Sequence, residues 1–239
     1  WSKPEERREL MELFKAKDCG KPVHPSATVD AFSLKPSIWS AVYRRDFLNR
    51  NAIRFLPTPG AAFQDASFTF KVFALADTAV YLHDSVLSYR QDNEGSSVNS
   101  PNKVHCVNDE YAEIHRWIVE DYAETHSSLD VAKLLRFANI IKYDSYMWSY
   151  IRLNPKFYAE FLDRMAQEFR GALEVHEFEL TDLKPWKRAN LKAIVNDPQK
   201  WLTESEDFAG AGALGRARHY ARIGGPGVVA AFVLDAIKK

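Results

Sequence analysis

Phe157, Phe161, Met165 and Phe169 recur at every fourth position, a spacing that puts all four on one stripe of a helix and requires that stripe to be buried. Two similar stripes precede it. Ile114, Trp117, Ile118 and Tyr122 form one; Val131, Leu134, Leu135, Ala138 and Ile141 form the other, in a run that continues through Trp148. Shorter helical patterns cover residues 183–195 and 197–202. From about Val104 onward the chain therefore reads as a layer of packed helices. Its 46% hydrophobic and 13% aromatic residues are enough to fill the core that such a layer needs.

The first hundred residues read differently. Residues 3–17 carry Leu10, Leu13 and Phe14 at helical spacing and predict an amphipathic helix. Residues 21–37 hold Pro22, Pro25 and Pro36 and predict an extended connector. Ile38, Trp39, Val42 and Tyr43 make an apolar cluster, and residues 45–50 predict a short helix with Phe47 and Leu48 facing inward. Residues 53–56, 79–82 and 86–89 read as short strands. Between them, residues 64–76 predict a helix with Phe68, Val72, Leu75 and Ala76 on its buried side. Residues 92–102 have the composition of a loop. The pattern as a whole is an α/β fragment followed by a mainly α-helical region, mostly α overall. The expected divisions are 1–103, 104–209 and 210–239. The last is a Gly-, Ala- and Arg-rich tail, expected to pack weakly up to Gly227 and to end in an apolar helix over 228–237.

Charge removes some functions. Thirty-two basic residues balance thirty-two acidic ones, so nothing steers the chain as a whole toward nucleic acid. Cys19 and Cys106 are far apart and read as two reduced thiols of a cytoplasmic protein. Ser, His and Asp are present without a Gly-x-Ser-x-Gly elbow, Gly224–Gly227 is not followed by Lys-Ser/Thr, and no cysteine pair has zinc-deaminase spacing. His83 and Asp84 are adjacent, with no spaced partner to complete a metal site. The other histidines, among them His105, His115, His126 and His176, also lack ligand spacing.

One position carries chemistry. Asp65 lies where the 64–76 helix begins, in a segment running Pro59-Gly60-Ala61-Ala62-Phe63-Gln64-Asp65-Ala66-Ser67-Phe68. A carboxylate there suits a general base that takes a proton from an attacking hydroxyl. Local sequence alone favours a residue that only caps the helix or neutralises its dipole. Trp39 and Tyr43 have rings able to stack on a sugar face, and also the spacing of core residues.

Three segments in order, 36–48, 58–68 and 89–99, resemble the acceptor-side half of bacterial family 2 glycosyltransferases of the GT-A type. The second resembles that family's base motif, with Gln64-Asp65 where Glu-Asp is more usual. The resemblance implies Asp65 as catalytic base and Gln64, Trp39 and Tyr43 as acceptor-binding residues. Arg90, Asn93, Ser96 and Ser97 would lie on a loop that closes over the donor diphosphate. It further implies an inverting transfer from a nucleotide sugar, UDP-linked, to a cell-surface polysaccharide or lipid-linked acceptor. The enzyme would be cytoplasmic, at the inner face of the membrane. No Asp-x-Asp motif precedes Pro36 and the first residue is Trp. The chain is thus expected to be a C-terminal portion, inactive alone, with the Mg²⁺ or Mn²⁺ ligands of the full-length enzyme outside it and no metal residues within it. The alternative is a non-catalytic helical interaction module carrying a glycosyltransferase-like remnant. Peripheral membrane contact through the basic and apolar tail (Arg216, Arg218, Arg222 and 228–234) and a homodimer are further expectations; a nucleic-acid partner is not expected.

Overall fold

The computed structural model describes residues 19–34, 36–57, 63–82, 103–205, 208 and 210–237. The chain divides into two compact units, Trp1–Asn99 with Asp109–Trp117 and Ser100–Asn108 with Ile118–Lys239. The architecture is mostly helical.

In the first unit, β1 (Pro22–Val23) pairs antiparallel with β2 (Ala79–Val80), Pro22 opposite Val80. Among the described residues this is the whole of the sheet. Residues 21–34 are more structured than the expected connector. A 3₁₀ turn at Pro25–Ala27 leads into α1 (Val29–Phe32), where Ala31 and Phe32 are buried. Phe32 supplies the apolar anchor that prolines alone do not advertise: its ring lies 4.8 Å from that of Phe70.

The next helix, α2 (Arg45–Arg50), has the predicted bounds. Asp46 in its first turn and Arg50 in its last suit the helix dipole. Its end is a Schellman motif: Ile53 N–H donates to Leu48 O (2.9 Å) and Ala52 N–H to Asn49 O (3.2 Å). Ala52 takes the left-handed position, φ 49°, where glycine is usual. The expected strand at 53–56 is absent. Ile53 is buried beside Leu48 as the apolar partner of the cap, and Phe55 stacks on Phe68 (4.3 Å), so these apolar residues serve a helix end and a ring contact. The 38–43 cluster also divides. Ile38 and Tyr43 pack with Phe47 and Leu48 against Ile53, Phe68 and Val72, whereas Trp39 and Val42 are exposed.

The central element of this unit is α3 (Gln64–Leu75). Its expected single buried face is an underestimate, since residues 67–72 are all buried. Phe68 and Val72 face the cluster just named, while Phe70 meets Phe32 and the edge of Trp117. The predicted helix at 3–17, the strand at 86–89, the loop at 92–102 and the pair His83-Asp84 lie outside the described residues.

The helix α4 (Cys106–Arg116) continues as a π-helical stretch, Trp117–Tyr122. In the second unit, α5 (Ser128–Tyr150) is capped by Ser127, whose Oγ accepts from Asp130 N–H. Three of the four residues of the predicted stripe, Phe161, Met165 and Phe169, lie on α6 (Tyr158–Glu174) and are fully buried; Phe157 falls on the 3₁₀ turn before it (Pro155–Phe157) and is half-buried. Lys184 precedes α7 (Pro185–Asn196), and Asp197 then caps α8 (Pro198–Glu204) through Lys200 N–H. In both helices proline occupies the first position, where its missing N–H costs nothing.

The segment expected to pack weakly forms the first half of α9 (Ala213–Ile237), and it buries His219 and Tyr220. The physical reason is a polar hub. Asn190 on α7 is fully buried; its Oδ1 accepts from Trp201 Nε1 (2.9 Å) and from His219 Nε2 (2.8 Å), and its Nδ2 donates to Tyr143 OH (3.0 Å). Because Asn190 Oδ1 can only accept, His219 must carry its proton on Nε2, leaving Nδ1 to accept from Ser205 Oγ (3.1 Å). Burial, with Arg222 nearby, lowers the His219 pKa to about 4. Partway along, Gly225 (φ 72°, ψ −172°) and Pro226 break the helix.

Two outcomes follow. Ala52→Gly relieves the left-handed strain and raises stability by about 0.5–1 kcal/mol, read as a higher urea midpoint at unchanged slope. His219 is harder to protonate folded than unfolded. Its contribution is complete above the unfolded value near 6.5 and is lost as pH falls from there toward about 4. On the order of 2–3 kcal/mol more should be lost over that window in the wild type than in His219→Gln, measured by urea unfolding at stepped pH.

Candidate functional site

The start of α3 lacks the usual equipment. Phe63, the residue before it, is left-handed (φ 63°) and offers no side-chain cap. The exposed first-turn N–H groups therefore need partners from elsewhere. Ser67 N–H finds one in Glu110 Oε2 at 3.0 Å, a carboxylate on α4 brought from 43 residues downstream. Glu110 is 1% exposed, and its other oxygen, like Ser67 Oγ, is buried without a hydrogen-bond partner. Burial pushes the Glu110 carboxyl above its ordinary range. The bond from Ser67 N–H and the nearby Ser67 hydroxyl oppose that shift, the Asp65 carboxylate adds to it, and Lys71 opposes it.

Asp65 occupies the first turn of α3 and is half-buried, as is Gln64 before it. Gln64 Nε2 donates to Leu56 O (3.4 Å). Tyr43 sets its ring edge-on to Phe68 (5.3 Å), and its phenol is raised by burial and then by the Asp65 carboxylate. Asp65, Gln64, Tyr43 and Glu110 are thus gathered at one end of α3. Trp39 sits on the 3₁₀ turn Ile38–Ser40 and is exposed. Arg90, Asn93, Ser96 and Ser97 lie outside the described residues.

One turn farther along α3, buried Lys71 donates to Glu113 Oε1 (2.5 Å), and Arg116 grips the same carboxylate through Nε and Nη2 (2.7 and 2.9 Å). Burial pushes Glu113 upward, but these two cations outweigh it and hold it below its ordinary value. This group fixes residues 110–116 against α3 and so holds Glu110 in place. Sequence reading missed Glu110. The only trace was its spacing from Glu113, i and i+3 on one helix face, which does not reveal what the face meets.

Among the described residues no group of three or more His, Cys, Asp or Glu side chains could hold a metal ion. Glu110 spends one oxygen on Ser67 N–H and is buried, so Asp65 and Glu110 do not fit a cation site, and no step here runs through a metal. Among the described residues neither Cys19 nor Cys106 is in a disulfide.

Ser205, His219 and Asn190 in the second unit have the order of a hydrolytic triad. They are all at most 4% exposed, and the low imidazole pKa follows from that enclosure. A nucleophile must meet its substrate, so this constellation is a structural lock.

No protein-family model matches the chain, and no curated protein or solved structure matches it either.

The cap can be separated from the charge. Glu110→Ala strands the Ser67 N–H and costs about 1–3 kcal/mol. Glu110→Gln keeps an accepting oxygen, removes a buried charge and costs less than about 1 kcal/mol. Equal losses in urea unfolding would mean that the carboxylate charge, rather than the hydrogen bond, is what the helix end requires.

Proposed function

We propose that this chain is the acceptor-side part of an inverting family 2 glycosyltransferase of the GT-A type, with Asp65 as its base. The observation that carries the reading is the placement of Asp65. It stands in the first turn of α3, half-buried, with the Tyr43 phenol and the buried Glu110 carboxyl within electrostatic reach. The segment around it resembles the family's base motif.

In this reading Asp65 takes the proton of an acceptor hydroxyl as that oxygen attacks the anomeric carbon of a nucleotide sugar. The bond to the diphosphate breaks on the opposite face and configuration inverts. Gln64 and Tyr43 line the acceptor approach, and Trp39 offers an exposed ring to a sugar face. Glu110 replaces, from a distant helix, the second acid that the motif lacks at Gln64. Arg90 with Asn93, Ser96 and Ser97 would meet the leaving diphosphate. The rest of the donor, a UDP-sugar, and its Mg²⁺ or Mn²⁺ would be held by residues of the full-length enzyme outside this chain. The acceptor is a saccharide or lipid-linked precursor of the cell surface, met at the inner face of the membrane.

The full-length protein, assayed for sugar transfer across a panel of nucleotide sugars with Mn²⁺, should lose about 10²-fold or more of its turnover as Asp65→Asn, with its fold unchanged by circular dichroism. Transfer at the wild-type rate by that variant would remove Asp65 from the chemistry.

A further inference from the structure

The two halves of α9 meet different surroundings. In the first half, His219 and Tyr220 are buried, and Tyr220 packs on Trp186 and Phe208. After the break at Gly225–Pro226, Phe232 packs on Trp186 and Tyr220, and Asp235 bonds to Lys184 and to Trp186 Nε1. Phe232 and Asp235 are three residues apart and share one helix face. The opposite face carries Ala230, Val233, Leu234 and Ile237, and the last three are 42, 58 and 75% exposed.

That distribution is inverted for a surface helix in water. The only charged residue between Pro226 and Ile237 faces the protein and is paired there, and the solvent-facing side is wholly apolar. Cations lie on the same helix: Arg218 and Arg222 are exposed, and neither forms an ion pair among the described residues. The sequence after the helix is Lys238-Lys239.

By length and composition α9 could cross a bilayer. Its details argue against crossing. His219 and Tyr220 are committed to the interior of the second unit, Arg216, Arg218 and Arg222 occupy the first half, and the helix is broken at Gly225. An apolar face on the same element as exposed arginines suits a helix lying in an anionic lipid surface.

We propose that residues 226–237 dock the protein on an anionic membrane surface, with Val233, Leu234 and Ile237 entering the acyl boundary and Arg218 and Arg222 meeting lipid headgroups. This stands apart from the role of Asp65 and holds whether or not that residue is a base.

The test is co-sedimentation of the full-length protein with vesicles of phosphatidylcholine alone or mixed with phosphatidylglycerol. The wild type should pellet with the anionic vesicles, less so as salt rises. Val233→Glu/Leu234→Glu/Ile237→Glu should weaken that binding about tenfold or more, and Arg218→Glu/Arg222→Glu should abolish the preference for the anionic lipid. These side chains are exposed, so the fold is retained. Wild-type protein that stays in the supernatant, or a triple variant that pellets as well as wild type, overturns the proposal. So does a triple variant that only lowers the sedimentation coefficient of a lipid-free dimer, because the occupant of this face would then be a second copy of the chain.

Discussion

The second unit turns on one buried carboxamide. Asn190 has no access to water, so each of its polar atoms must be satisfied by protein or the fold loses on the order of 1–3 kcal/mol for each failure. The chain meets this with partners from three other helices: Tyr143 on α5, Trp201 on α8 and His219 on α9. An apolar residue at 190 would accept many packings of those helices. An amide accepts few, because Trp201 and His219 must both point a donor at the same oxygen. The hub thereby dictates the imidazole tautomer, and burial with Arg222 nearby disfavours the imidazolium. The low pKa of His219 is a consequence of helix packing, and the resemblance of Ser205–His219–Asn190 to a triad follows from the same geometry.

The first unit solves a related problem with charge. A helix entered through a left-handed Phe63 cannot be capped by its own preceding side chain. The acceptor comes instead from Glu110, held by its neighbour Glu113 in the grip of Lys71 and Arg116. Two carboxyls on one face of α4 therefore have opposite fates. Glu113 is paired with cations and pushed below its ordinary range; Glu110 is pushed above it by burial and the nearby Asp65 carboxylate, which outweigh its bond from Ser67 N–H. The end of α3 that holds Asp65 thus owes its position to an ion-pair group a full turn away.

Local rules carried a sequence reading as far as interactions within one helix. The bounds of α2, the start of α3 and the buried stripe of α6 depend on residues within a turn of each other, and all were legible. So was the placement of Asp65 in a first turn. The errors share a cause. Residues 53–56 look like a strand because apolar residues that close a Schellman motif have the composition of one. Phe32 looks like part of a proline connector because its partner Phe70 is 38 residues away. Glu110 was invisible as a cap for the same reason, across 43 residues. Position 52 would have shown a helix end plainly as glycine; alanine conceals it.

The Gly224-Gly225-Pro226-Gly227 run misled in another way, since its composition reads as slack. Each of the first three residues answers a separate steric demand. A β-carbon at Gly224 would stand 2.5 Å from Val228 Cγ2 and 3.2 Å from Ala189 on α7, so a side chain there would push the two helices apart. Gly225 holds φ 72° with ψ −172°, a region essentially closed to residues with a β-carbon. Pro226 has no N–H to leave unsatisfied at the restart, and its fixed φ suits the first helical position. The run is a joint with a set angle, and the angle brings Phe232 and Asp235 back onto Trp186 and Lys184. A straight helix through this point would rotate those residues off α7, exposing an aromatic ring and an unpaired acid. The apolar outer face of the terminal segment is thus fixed by the same glycines that made the sequence look loosely packed.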